Sequence, residues 1–142
     1  MSRNVVLDTN CLLQIIARRS KNYFIWEEFL YGNYCLCYTT EILEEYEEIL
    51  SQKTSPVIAS MVVEIISQAP NTQRVDVHYR WNLITADPDD NKFVDCAVFC
   101  NADYIVSEDK HFKVLQTIDF PKVMVVRLEE FARLLQQYLP KY

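Results

Sequence analysis

Hydrophobic positions along this chain alternate between two spacings. Short apolar runs end abruptly in polar or acidic residues, and longer stretches with helical spacing lie between them. Arg3–Leu7 reads as a short buried strand stopped by Asp8. Thr9 or Asn10 caps a following helix through Leu12, Leu13, Ile15 and Ile16, with Arg18, Arg19 and Lys21 at its exit, where cations complement the helix dipole. Tyr23–Leu30 is a second amphipathic helix, Gly32-Asn33 a turn, and Tyr34–Tyr38 a second strand. A helix starts at Thr39 or Thr40 and runs to about Gln52, and Ser55–Ile66 is another. Gln73–His78 reads as a strand and leads through an irregular stretch into the acidic loop Asp87–Asp90. Asn91–Cys100 is helical, Asp103–Ser107 a strand, Lys110–Leu115 a helix, Val123–Val126 a last strand and Leu128–Tyr138 a last helix. Strands that alternate with helices predict an α/β fold, with a mainly parallel sheet of four to five strands covered on both faces.

Composition narrows the class. A chain of 142 residues suits one domain, 1–142, with one core. Half of the residues are hydrophobic, which is too apolar for disorder. No apolar run reaches the roughly 18–20 residues of a membrane span, and Asp8 interrupts any secretory apolar region, so a cytoplasmic protein is expected. Cys11, Cys35, Cys37, Cys96 and Cys100 are odd in number and form no CxxC pair, which predicts reduced, mostly buried thiols. Neither His78 nor His111 has a cysteine at zinc-ligand spacing. The single glycine, Gly32, excludes Gly-rich phosphate loops and the GxSxG elbow. A net charge of −6 disfavours a protein that coats nucleic acid, but not a nuclease whose metal reverses the local field.

The acids are concentrated in four places: Val5–Asn10, Glu41–Leu50, Asp87–Asp95 and Val106–Asp109. In a parallel α/β fold, ligands bind beyond the carboxyl ends of the strands. Asp8 and Asp109 each follow a predicted strand, and Asp90 opens a helix at the same level. Carboxylates gathered there repel one another unless a cation lies among them, and Mg²⁺ or Mn²⁺ suits oxygen ligands. Each acid also has a plainer reading. Asp8 and Asp109 suit helix caps, and Asp87 and Asp89 suit a solvated turn. In the glutamate-rich helix, Glu45 lies three residues after Ile42 and four before Ile49, at the edge of the apolar stripe, while Glu44, Glu47 and Glu48 point outward. A glutamate so placed needs a partner, and a metal is one candidate. Asp95 lies about 140° around the helix from Asp90, so it is an outer or solvated member of the set.

The order V-V-L-D-T-N, T-x-E-I-L-E-E-Y, D-P-D-D-N-K-F-V-D-C-A and A-D-Y-I-V-S-x-D-K-H-F resembles the PIN domain, from Val5 to about Leu128. It is most similar to the branch of toxin components of toxin–antitoxin systems related to VapC ribonucleases. The resemblance implies a single PIN-like nuclease domain with an acidic quartet at Asp8, Glu45, Asp90 and Asp109 and supporting polar residues Asn10 and Ser107. Where the family usually has T-G-D, this chain has Ser107-Glu108-Asp109, so Glu108 replaces a glycine and adds charge beside the site.

The implied activity is hydrolysis of RNA phosphodiester bonds with one or two Mg²⁺ or Mn²⁺ ions. Asp8, Asp90 and Asp109 are the expected ligands, Asp95 a further one, and Glu45 holds or activates a metal-associated water. No histidine is required as a base. A basic rim for RNA is expected from Arg18, Arg19, Lys21, Lys92, Lys110 and Lys113, each of which equally suits a solvated surface. The implied partners are an antitoxin and a second copy of the chain. Two other classes compete: a non-catalytic PIN-like module binding protein or RNA, and a haloacid-dehalogenase-type phosphatase. The latter needs a second Asp where Asn10 stands.

Overall fold

The computed structural model describes residues 3–138. Its centre is a five-stranded, fully parallel sheet in the order β3-β2-β1-β4-β5. The strands are β1 (Asn4–Leu7), β2 (Cys35–Tyr38), β3 (Thr72–Arg74), β4 (Tyr104–Val106) and β5 (Val125–Val126). The helices are α1 (Thr9–Ile16), α2 (Tyr23–Leu30), α3 (Thr40–Lys53), α4 (Pro56–Gln68), α5 (Asn91–Phe99) and α6 (Leu128–Tyr138). Short 3₁₀ segments cover Pro88–Asp90 and Lys110–Thr117.

Successive residues of a strand point to opposite faces. Val5, Val6 and Leu7 are all buried, so helices cover both faces of β1, as an all-parallel sheet requires. An aromatic string through Trp26, Phe29, Tyr34 and Phe131 joins α2, the residue before β2, and α6, with successive ring centroids 5.2, 5.9 and 5.2 Å apart. On α3 the buried residues are Ile42, Tyr46 and Leu50, spaced for one helical face, and the Tyr46 hydroxyl donates to the Leu7 carbonyl. That bond ties α3 to the end of β1.

Several boundaries have local causes. The Thr39 hydroxyl accepts from the Ile42 amide at 3.1 Å and starts α3. Ser55 does the same for Ile58 at 3.2 Å, with Pro56 at the first helical position. Gly32 takes φ = 82°, the left-handed conformation that turns the chain after α2. Thr9 and Asn10 lie inside α1 and do not cap it; the capping position belongs to Asp8. The third strand is Thr72–Arg74, shorter than Gln73–His78. The Val75 amide donates to the Tyr38 carbonyl at 2.7 Å, but its neighbour β2 ends there and α3 begins, so the chain has nothing further to pair with. The expected helix after Asp109 is a 3₁₀ segment. Cys11, Cys37, Cys96 and Cys100 are buried, Cys35 partly so, and all five are free.

Candidate active site

The sheet order places β1 beside β4, while the chain leaves β1 for β2 on the other side. The crevice above such a reversal is where α/β folds bind ligands. The last rung of that pair is Leu7 opposite Val106, so Asp8 and Ser107 emerge together. The Asp8 amide donates to the Val106 carbonyl at 3.0 Å, which fixes the backbone. Asp8 occupies the N-cap position of α1, yet its side chain makes no capping bond. Instead its Oδ2 accepts from the Ser107 hydroxyl at 2.7 Å. The same hydroxyl accepts from the Asp109 amide at 3.0 Å, so Ser107 links the first and last acids of the quartet. Burial pushes the Asp8 carboxyl up; the Ser107 hydroxyl and the Thr9 amide oppose this, and the negative charges of Asp109 and Glu45 add to it.

Asp109 does cap its 3₁₀ segment, accepting from the His111 amide at 2.9 Å through Oδ1. This turn folds the imidazole back toward the acids. His111 Nδ1 lies 3.3 Å from Asp109 Oδ1 and 3.5 Å from Asp90 Oδ2. Asp90, at the N-terminus of α5, likewise leaves its capping role unused. Its side chain is 13% exposed, and its Oδ2 is buried without a hydrogen-bond partner. Burial, followed by the charges of Asp109, Asp87 and Asp8, raises its pKa to about 6; His111 opposes the rise. Asp87, Asp90 and His111 each offer a ligand atom within 4.8 Å of one another.

Glu45 stands behind this group. It accepts from the Thr9 hydroxyl and pairs with Lys92 Nζ at 2.8 Å. Lys92 also reaches the Asp89 carboxylate and carbonyl, each at 2.9 Å. Burial pulls the ammonium pKa down, but hydrogen bonds to Glu45 and Asp89 outweigh it and hold the pKa above the usual value. This corrects one expectation: Lys92 is no rim cation, because its side chain is only 5% exposed and two carboxylates hold it. The partner that Glu45 needed is supplied by Lys92 and Thr9.

The remaining carboxylates, Asp8, Asp90 and Asp109, are fewer in bound hydrogens than in charge. Burial, with repulsion added to it, raises two of them, and one buried oxygen and one buried imidazole nitrogen face each other unsatisfied. A divalent cation fits that donor set. The model of the PIN domain family matches residues 4–111. The chain belongs to the PIN domain family. No curated protein sequence matches it. Among solved structures, it is similar to VapBC2 from Rickettsia felis bound to a DNA fragment from its promoter, with 16% identity and a TM-score of 0.60 over 87% of this chain and 98% of that one. DNA-bound VapBC from Salmonella typhimurium gives 15% identity and a TM-score of 0.57 over 90% and 99% of the two chains. The PIN domain endonuclease Utp24 gives 14% and 0.52 over 87% and 84%.

In this PIN domain the other sequence-predicted residues lie apart from the acids in different ways. Asp95 is 2% exposed, and its Oδ1 accepts from the Trp81 amide at 3.1 Å. Its charged neighbours are Arg80 and Glu41, so it anchors the loop before α5 beside a separate cavity of about 220 Å³. Asn10 is exposed on the first turn of α1. Arg18, Arg19 and Lys21 follow the far end of α1, roughly 12 Å along its axis from Asp8. Lys110 and Lys113 are closer: with Ser107, Asp109 and Arg127 they line a groove of about 380 Å³. Glu108 turns away from the acids. It pairs with Arg127 at 2.6 Å and accepts from the Leu128 amide at 3.2 Å, so its charge serves the start of α6. His111 was not among the expected site residues. The signal for it was its place two residues after a capping aspartate, where a tight turn folds the side chain back.

Proposed function

We propose that this PIN domain, spanning 1–142, is a metal-dependent hydrolase that cleaves RNA phosphodiester bonds endonucleolytically. The observation that carries the reading is that Asp8, Asp90 and Asp109 lie close enough for their charges to act on one another, with the buried Asp90 Oδ2 unpartnered. These three would hold Mg²⁺ or Mn²⁺, which lowers the pKa of the attacking water and stabilises charge on the phosphate. Ser107 keeps Asp8 and the Asp109 backbone in register. Glu45, fixed by Thr9 and Lys92, orients the attacking water beside Asp8. Lys110 and Lys113 flank the crevice and attract the RNA backbone. Utp24, a PIN domain endonuclease, supports the nuclease assignment.

Similarity to the two VapBC structures favours a narrower role, the toxin of a toxin–antitoxin pair held by an antitoxin. We further propose that it acts as a homodimer in the cytoplasm. Among the described residues, no helix is long and apolar enough to cross a membrane. The test is RNA cleavage by the purified chain with Mn²⁺, Mg²⁺ or a chelator, beside Asp8→Asn. Metal-dependent cleavage that disappears in the variant, with its circular dichroism unchanged, is expected. Undiminished cleavage by Asp8→Asn refutes the assignment. A wild-type chain that neither binds these ions nor cuts RNA is instead a non-catalytic PIN module.

A further inference from the structure

We propose that His111 is itself a metal ligand, through Nδ1, so that the site is a mixed nitrogen–oxygen centre and not an all-carboxylate one. This rests on the metal-dependent reading above and concerns which atoms hold the ion. His111 Nδ1 and Asp90 Oδ2 are both buried, and neither has a hydrogen-bond partner. A buried polar group left unpaired is destabilising, and here two face each other. A charged hydrogen bond between them would be about 2.7–2.9 Å long and well aligned. The observed separations from Nδ1 are 3.5 Å to Asp90 Oδ2 and 3.3 Å to Asp109 Oδ1, and neither contact has hydrogen-bond geometry. Two donors that each lie about 2.1 Å from one ion are about 3.0–3.4 Å apart when adjacent in its coordination shell. The Asp109 contact falls in that range and the Asp90 contact lies just beyond it, so both are placed closer to neighbouring ligands than to donor and acceptor.

The backbone that carries the imidazole is also fixed in place. Its own backbone amide donates to Asp109 Oδ1, which holds residue 111 in the first turn of the 3₁₀ segment. The neighbouring polar groups already have protein partners: Asp8 has Ser107, and Glu45 has Thr9 and Lys92. Asp87, Asp90 and His111 are the group whose ligand atoms lie within 4.8 Å of one another. Imidazole favours first-row transition ions, whereas carboxylates alone suit Mg²⁺. A nitrogen ligand thus shifts the centre's preference from Mg²⁺ toward those ions.

Pulsed electron paramagnetic resonance of the full chain loaded with Mn²⁺ tests this directly. Loss of the free Mn²⁺ signal reports binding, and nitrogen modulation of the electron spin echo reports a bound imidazole. The chain has only one other histidine, His78, which makes the assignment clean. The expected result is nitrogen modulation that changes on ¹⁵N-histidine labelling of the wild type, persists in His78→Ala and vanishes in His111→Ala. Mn²⁺ affinity should fall about tenfold or more in His111→Ala, with a smaller change for Mg²⁺. Because His78→Ala leaves His111 as the one histidine, labelled modulation in that variant assigns the ligand even where His111→Ala misfolds. Bound Mn²⁺ without nitrogen modulation, or modulation that survives in His111→Ala, overturns the proposal and leaves the metal-dependent nuclease intact. Absence of Mn²⁺ binding overturns both.

Discussion

Asp90→Asn is expected to make the metal-free protein more stable, the reverse of what most substitutions at a buried polar residue do. Asp90 sits among Asp109, Asp87 and Asp8, and its side chain is 13% exposed. Its pKa rises from 3.8 to about 6, a difference worth about 3 kcal/mol against the ionised form. The sign follows from proton linkage. The folded state holds this proton more tightly than the unfolded chain, so the group's contribution is favourable below the unfolded pKa and is lost as pH rises through about 6. At about pH 8 the wild type therefore carries the whole penalty, and the uncharged amide carries none. Urea denaturation in chelator, followed by circular dichroism, should show Asp90→Asn more stable by about 2–3 kcal/mol at that pH, or roughly 5–10 °C in Tm. Near pH 4.5 the difference should shrink to about 1 kcal/mol or less. Saturating Mn²⁺ should reverse the order, because the ion stabilises only the form that binds it. Equal or lower stability of Asp90→Asn at the alkaline pH in chelator would refute the electrostatic argument.

Three further substitutions probe separate parts of the site. Lys92→Met removes the cation from Glu45 and Asp89 and should cost about 1–3 kcal/mol in urea denaturation, less than for a fully buried pair because Asp89 is largely exposed. A loss below about 0.5 kcal/mol would show that the pair is not structural. Ser107→Ala leaves both the Asp8 carboxylate and the Asp109 amide short of a partner, so thermal unfolding should report about 1–3 kcal/mol of lost stability. The Ser107 bond lowers the Asp8 pKa, so the pH midpoint for Mn²⁺ binding should move up in that variant, as measured by metal titration across pH. Glu108→Gly restores the residue usual in the family, and it should lower Tm through the start of α6 while changing Mn²⁺ affinity by less than about twofold. A large change in metal affinity would place the Glu108 charge in the site after all.

The architecture was legible in the sequence because strand and helix periods are local signals, and abrupt carboxylates mark the same end of β1 and β4. Tyr23–Leu30 and Leu128–Tyr138 match the observed helices residue for residue. Position did not disclose how each acid is used. Asp8, Asp90 and Asp109 all sit at helix starts, yet only Asp109 caps with its side chain. That depends on Ser107, which lies 99 residues from Asp8. Lys92 was misjudged for a similar reason. A lysine on the first turn of a helix reads as solvent-facing, and its burial depends on Glu45 of α3, which no local pattern announces. His111 carries no periodic signal at all; only the turn at Asp109 brings it to Asp90.

The adjacency of β1 and β4 has a temporal consequence. Asp8 is made 99 residues before Ser107, yet they share a hydrogen bond. Until β4 has been synthesised and has docked beside β1, no partial product contains the crevice. A chain that stops after α4 lacks Asp90, Asp109 and His111 as well as β4. The crevice is therefore a property of the joined sheet: no segment that ends before β4 contains it.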